Sequence, residues 1–266
     1  MEQTPQFSNC SLASVRLEMI FSPTGLSFAT GTAFFYRKGT SVFLITNWHN
    51  VTGINPRTKK PIGKNAGRPD LIRFKLFKKN QDEFTWYLVD VRLYSDDDME
   101  NPYWLVHPAY REQVDVIALE INIPPGLELM AITDKDLNFK DFKPGVADEV
   151  FILGFPYNIS QMDVFPIWKR ASIATEPEYG YEDKPMMLVD TASRSGMSGS
   201  PVILKRNGIW REPNLGFGTR TCFLGIYSGR ILGETELEAQ LGIVWSKNVI
   251  EEIINGNERD SLKSFA

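Results

Sequence analysis

Short apolar runs separated by turn residues dominate the chain. Residues 14–21 set the pattern: Val15, Leu17, Met19 and Phe21 alternate with Arg16, Glu18 and Ile20. A period of two points successive side chains to opposite faces, as in a half-buried strand. Similar runs rich in β-branched and aromatic residues predict strands at 27–36, 41–46, 71–77, 85–94 and 114–121. A second series falls at 149–153, 164–173, 187–190, 200–204, 221–227 and 240–244. Between the two series, 123–145 carries Pro124, Pro125, Gly126 and Pro144 and reads as a crossing. The period changes only near the end. Val249, Ile250, Ile253 and Ile254 recur at helical spacing within 246–255, and Gly256 follows.

The fold class expected is therefore all-β: two antiparallel six-stranded β-barrels with a C-terminal α-helix. The expected division is a first barrel at 1–122, the crossing at 123–145, a second barrel at 146–245, and helix and tail at 246–266.

Composition adds mainly exclusions. At 42% apolar and 23% charged, the chain can bury a core. A net charge of -4 gives no global sign of nucleic-acid binding. The basic run between Arg57 and Lys79, opposed only by Asp70, reads as a solvated loop and strand face. No run has the length of a membrane-spanning helix, and 1–11 lacks the pattern of a signal peptide. Cys10 and Cys222 stand far apart and read as buried free thiols. These features suit a cytoplasmic protein. With two histidines and no metal-ligand spacing, no metal and no cofactor is expected.

The chemistry concentrates on few residues. Ser198 sits in Gly196-Met197-Ser198-Gly199-Ser200-Pro201, after Ser193-Arg194-Ser195. Small residues on both sides permit a tight turn that aims backbone N–H groups at one point, the requirement for stabilising a developing oxyanion. The plain alternative is a glycine-rich turn before a strand. A serine hydroxyl needs a base. His49 closes the apolar run 43–45 followed by Thr46-Asn47-Trp48, where a scaffold would present it, whereas His107 sits in a loop-like setting and reads as structural. An imidazole base needs an acid to fix its tautomer. Asp115, at the head of Val116-Ile117-Ala118-Leu119, could supply it or simply cap a turn.

Thr46-Asn47-Trp48-His49-Asn50-Val51, His107-Pro108-Ala109-Tyr110 with Asp115-Val116-Ile117-Ala118-Leu119, and Gly196-Met197-Ser198-Gly199-Ser200-Pro201 occur in this order. They resemble the segments around the histidine, aspartate and serine of chymotrypsin/trypsin-like serine proteases. Gly31-Thr32-Ala33-Phe34 and Gly225-Ile226-Tyr227-Ser228 are similar to the strands flanking those sites. The resemblance implies a chymotrypsin-like pair of barrels with the site between them and polypeptide as substrate. It makes His49 the base, Asp115 its orienter and Ser198 the nucleophile, with the N–H groups of Gly196 and Ser198 as oxyanion hole. Ser228 would help hold Asp115. The specificity pocket would fall at Ala192, Ser193, Ser228, Gly229 and Arg230, favouring small or apolar side chains first and acidic ones second.

Asn50 and Met197 depart from the family pattern. Asn50 replaces a cysteine and removes a disulfide. Met197 replaces the aspartate that pairs with a newly cut N-terminus in zymogens. The chain thus resembles an intracellular, disulfide-free bacterial trypsin-like peptidase. A regulatory protein acting on access to the cleft is compatible with this, and neither nucleic acid nor membrane is expected as partner. Two other readings stay open: a peptide-binding pseudo-protease, and an esterase or acyl transferase using the same three residues.

Overall fold

The structure is a computed structural model that describes residues 7–62, 67–80, 83–137, 139–140, 142–192, 194–210, 215–231 and 240–261. Its first half runs α1 (Asn9–Ala13), β1 (Ser14–Phe21), β2 (Leu26–Lys38), β3 (Ser41–Thr46), α2 (Trp48–Thr52), β4 (Leu71–Asn80), β5 (Glu83–Arg92), β6 (Leu105–Val106) and β7 (Ile117–Ile121). The second half runs β8 (Glu149–Gly154), β9 (Ile167–Ile173), β10 (Met186–Asp190), β11 (Pro201–Trp210), β12 (Gly216–Arg230) and β13 (Leu241–Ser246). The chain then forms α3 (Lys247–Gly256) and β14 (Glu258–Arg259).

The second-half strands close into a six-stranded barrel, β10-β13-β12-β11-β8-β9. The first half departs from the expected six-stranded barrel. It is an eight-stranded sheet, β14-β6-β7-β3-β2-β1-β4-β5, with β14 and β5 at its ends. The reason lies in the end strands. Every described residue of β5 is partly or fully exposed, and the strand reaches the core only through half-buried Phe84, Trp86, Val89 and Val91. At the other end, β14 spans two residues delivered from beyond α3. The 123–145 segment runs between the halves and touches the first sheet through single bridges, Phe35 with Ala131 and Phe77 with Glu128.

Among the described residues, four apolar clusters hold this arrangement, the smallest around Leu12, Phe77 and Phe165. One lies under the first sheet, around Leu17, Phe35, Leu44 and Trp48. A second fills the barrel, around Val150, Val202 and Val244. A third draws on both halves, joining Phe34 and Ile45 to Leu153, Ile203 and Trp245. Each fully buried side chain of this size contributes about 1.5–3 kcal/mol, so the shared cluster welds the halves together. The α3 helix closes that cluster with Val249, Ile250 and Ile253. Ser246 caps its start by accepting the Asn248 N–H. Its end comes one residue later than the sequence suggests, because Asn257 rather than Gly256 adopts the left-handed conformation, at φ 50°.

The β11–β12 ladder also runs past its expected ends, from Lys205 opposite Thr221 out to Trp210 opposite Gly216. Its outer part exposes Ile209 and Phe217, so burial could not mark it in the sequence. Among the described residues no helix is long and apolar enough to cross a membrane, and no group of three metal-ligating side chains converges.

Candidate active site

His49 lies on α2, a single helical turn following β3, rather than on the strand itself. Asn47 leads into the turn and Gly53, at φ 70°, ends it. The pairing of Thr46 with Ile117 brings the head of β7 beside this turn. Asp115 is therefore held two ways: Asn47 Nδ2 donates to its carbonyl at 2.6 Å, and its carboxylate faces His49. The carboxylate engages both the backbone and the ring of that residue. Oδ1 accepts the His49 N–H at 3.0 Å, and Oδ2 lies 2.6 Å from Nδ1. The Ser228 hydroxyl donates to the same Oδ2. The Asp115 side chain is 5% exposed and the His49 side chain 14%. A carboxylate is an acceptor, so Nδ1 carries the proton and Nε2 is left as the basic nitrogen.

The Ser198 turn is shaped by two glycines. At Gly196, φ is 93°, and an added β-carbon would lie 2.2 Å from the Phe155 carbonyl oxygen. At Gly199, φ is 90°, and a β-carbon would lie 1.9 Å from the Thr32 carbonyl oxygen. No other residue type fits either position without moving the backbone. Between them, Met197 is wholly buried in the barrel's apolar cluster.

The carbonyls of this turn are all tied down. Ser195 O accepts the Tyr157 N–H at 2.8 Å, Gly196 O accepts the Thr32 hydroxyl at 2.8 Å, and Met197 O accepts the Ser200 N–H at 3.1 Å. In a trans peptide the N–H points opposite to the C=O. The Ser195 and Met197 carbonyls thus orient the N–H groups of Gly196 and Ser198 away from those partners. Neither N–H has an acceptor among the described residues, whereas those of Met197, Gly199 and Ser200 all do.

His49, Gly196 and Ser198 line one cleft of about 260 Å³. No hydrogen bond joins His49 Nε2 to Ser198 Oγ among the described residues, and in this type of chemistry that contact is often long until substrate is seated. The geometry supplies a hydroxyl, an oriented imidazole and two directed N–H donors in one cleft. That set can activate an oxygen nucleophile and stabilise an oxyanion.

The residues expected to form the specificity pocket are only partly brought together. Ser228 turns its hydroxyl to Asp115. Gly229 follows a register shift in the β12–β13 ladder, and Arg230 pairs with Gly242. Ala192 is half-buried, and Ser193 lies outside the described residues. Tyr227 and Thr191 pack against Gly242, 2.5 and 3.1 Å from where a β-carbon would stand. His107 is structural: Nδ1 accepts the N–H groups of Ala109 and Tyr110, and Nε2 lies 2.7 Å from Glu252.

Three supporting residues escaped the sequence reading. Asn50 Nδ2 reaches Thr46 Oγ1 at 2.9 Å and the Ser198 carbonyl at 3.2 Å. Thr32 donates its N–H to the same Ser198 carbonyl at 2.9 Å. Asp260 takes the indole N–H groups of Trp48 and Trp104 at 2.7 and 3.0 Å. Asn50 and Thr32 lie in segments flagged by motif, but nothing in a linear pattern shows what such a side chain bonds to. The tail position of Asp260 carried no signal.

Neither a protein-family model nor a curated protein matches the chain. Among solved structures it is similar to the Rv3671c protease of M. tuberculosis in its active form, at 15% identity and a TM-score of 0.49, covering 95% of this chain and 83% of that one. It is also similar to an inactive serine-to-alanine mutant from M. tuberculosis H37Rv, at 14% identity and a TM-score of 0.47, covering 95% and 90%. An inactive form of Rv3671c gives 16% identity and a TM-score of 0.45, covering 92% and 89%.

Proposed function

We propose that the chain is a serine endopeptidase acting through Ser198, His49 and Asp115. The observation that carries this reading is the convergence in one cleft of an Asp115-held imidazole, the Ser198 hydroxyl and two N–H groups without acceptors. In the proposed reaction Ser198 Oγ attacks the scissile carbonyl carbon while His49 Nε2 takes the hydroxyl proton. The carbonyl oxygen becomes an oxyanion held by Gly196 N–H and Ser198 N–H. His49 then passes the proton to the leaving amine as the C–N bond breaks, which leaves an acyl ester on Ser198. Water attacks that ester with His49 again as base, releasing the acid and restoring the hydroxyl.

On the acyl side, the substrate backbone pairs with the chain near Ser228–Arg230 as an added strand. The packing of Thr191 and Tyr227 against Gly242 supports a preference there for small side chains. The compartment that goes with this reading is the cytoplasm, supported by two buried free cysteines.

The test is labelling by a fluorophosphonate, which reacts only with an activated serine, alongside cleavage of a diverse peptide library. The expected result is one label on Ser198, absent in Ser198→Ala, together with peptide cleavage that the same substitution removes. An unlabelled native chain that cleaves nothing overturns the proposal.

A further inference from the structure

Beside His49 and Ser198 the cleft continues as an apolar recess that the proposed chemistry does not use. Its walls are Met19 and Phe28 from the first sheet, Ile62, Gly67 and Pro69 from the loop after α2, and Gly196 at the oxyanion turn. Among the described residues no Asp, Glu, Lys or Arg lines it. The nearest cation in sequence, Arg68, is spent elsewhere. Its Nε donates to Tyr94 Oη at 2.9 Å, its guanidinium lies over the Tyr94 ring, and it also donates to the Met99 carbonyl. Phe28 is clamped in place by Gly67, since a β-carbon there would come within 2.2 Å of the ring. Phe21 stacks near its other side, with ring centroids 6.2 Å apart. The recess is thus a formed part of that cleft with one fixed aromatic wall and, among the described residues, no charged side chain.

Its position assigns it to one half of the substrate. The acyl part is proposed to lie along Ser228–Arg230, and none of those residues lines the recess. A chain that enters along that edge and crosses Ser198 continues on the His49 side. The group leaving there must also lie within reach of Nε2, which protonates it.

We propose that this recess binds the side chain immediately following the scissile bond, and that it selects a branched aliphatic or aromatic residue there. The inference rests on the endopeptidase reading and adds to it that selection is exerted largely on the leaving side. The recess offers an apolar surface directly beside the reacting atoms. Among the described residues the recess offers no ion partner for a desolvated charge, which disfavours charged residues after the cut.

The test is a set of peptides identical except at the position after the cut, read as the ratio of kcat/KM for Leu or Phe over Gly and over Asp. The ratio is internal to each enzyme variant and does not depend on its absolute activity. Partial burial of one such side chain gives an expected preference of about tenfold or more over Gly. Ile62→Asp places a carboxylate at the rim, on a residue already 47% exposed. It should reduce the Leu/Gly ratio and raise Lys and Arg at that position. Ala29→Phe, which fills the recess from β2, should bring the ratio near one. A native enzyme that is labelled on Ser198 and cleaves, yet shows no preference after the cut, overturns this inference alone. Absence of both labelling and cleavage overturns the endopeptidase reading and this inference with it.

Discussion

The Asn50 side chain donates to the main-chain carbonyl of Ser198 at 3.2 Å, linking the residue after the candidate base directly to the candidate nucleophile. A side-chain amide thus spans the two halves at α2. The same amide holds Thr46 Oγ1 at 2.9 Å and packs beneath Gly31, where a β-carbon would lie 2.8 Å from it. The distance between base and nucleophile is therefore set by hydrogen bonds within the cleft wall.

Removing that amide should cost function more than fold. Asn50→Ala is expected to lower stability by about 1 kcal/mol, the net worth of one such bond. The same change should lower kcat/KM about tenfold, since small misplacements of reacting groups are expensive. Asn50→Asp should be worse than Ala, because a carboxylate cannot donate to the Ser198 carbonyl and repels it. An Asp variant as active as the parent would show that the contact does not position Ser198. Peptide kinetics and denaturant melts on the three proteins decide it.

The Asp115 carboxylate is expected to act through the ring tautomer. Asp115→Asn should reduce kcat by on the order of 10⁴-fold, by presenting an amide donor to Nδ1 and placing the proton on Nε2. An Asn variant with a kcat close to the parent's would remove Asp115 from the mechanism.

Met197 should behave as an apolar anchor. Met197→Leu keeps volume and is expected to cost under about 1.5 kcal/mol while leaving the turn formed. Met197→Asp buries a carboxylate in a wholly apolar cluster and should collapse both stability and Ser198 labelling. If activity appeared only after an N-terminal cut whose new amine lay beside Met197, the anchor reading would fail.

Both thiols should be slow to react. Cys10 and Cys222 are free and buried, and burial foremost pushes the Cys10 thiol up, keeping it protonated and unreactive. A thiol reagent should modify both only after denaturation, and reductant should leave cleavage unchanged. Rapid modification in native buffer would contradict this.

Much of this architecture was legible in the linear pattern, because alternation at residues 14–21 and helical spacing at 249–254 are direct traces of burial. Folding sets Asp115 against His49, and His49 and Ser198 line one cleft. What escaped depends on partners distant in sequence. The one-turn α2 helix is too short to show a period, and β14 exists only because β6 pairs with it. The open first sheet ends in a strand, β5, whose alternation looks like any other although none of its residues is fully buried. The contact of Ser228 with Asp115 that the resemblance implies is present, whereas Ser193 lies outside the described residues.

The Asp260 carboxylate ties the indoles of Trp48 and Trp104, and this has a bearing on how the molecule is made. A ribosome releases His49 and everything needed to pair it with Asp115 well before residue 260 emerges. Until then two buried indole N–H groups behind α2 have no carboxylate to accept them, an arrangement that favours looseness in that wall of the cleft. The last strand, β14, arrives at the same moment and extends the sheet beside β6. The wall behind the histidine thus becomes firm only once a segment 212 residues further along the chain than Trp48 has folded back onto it.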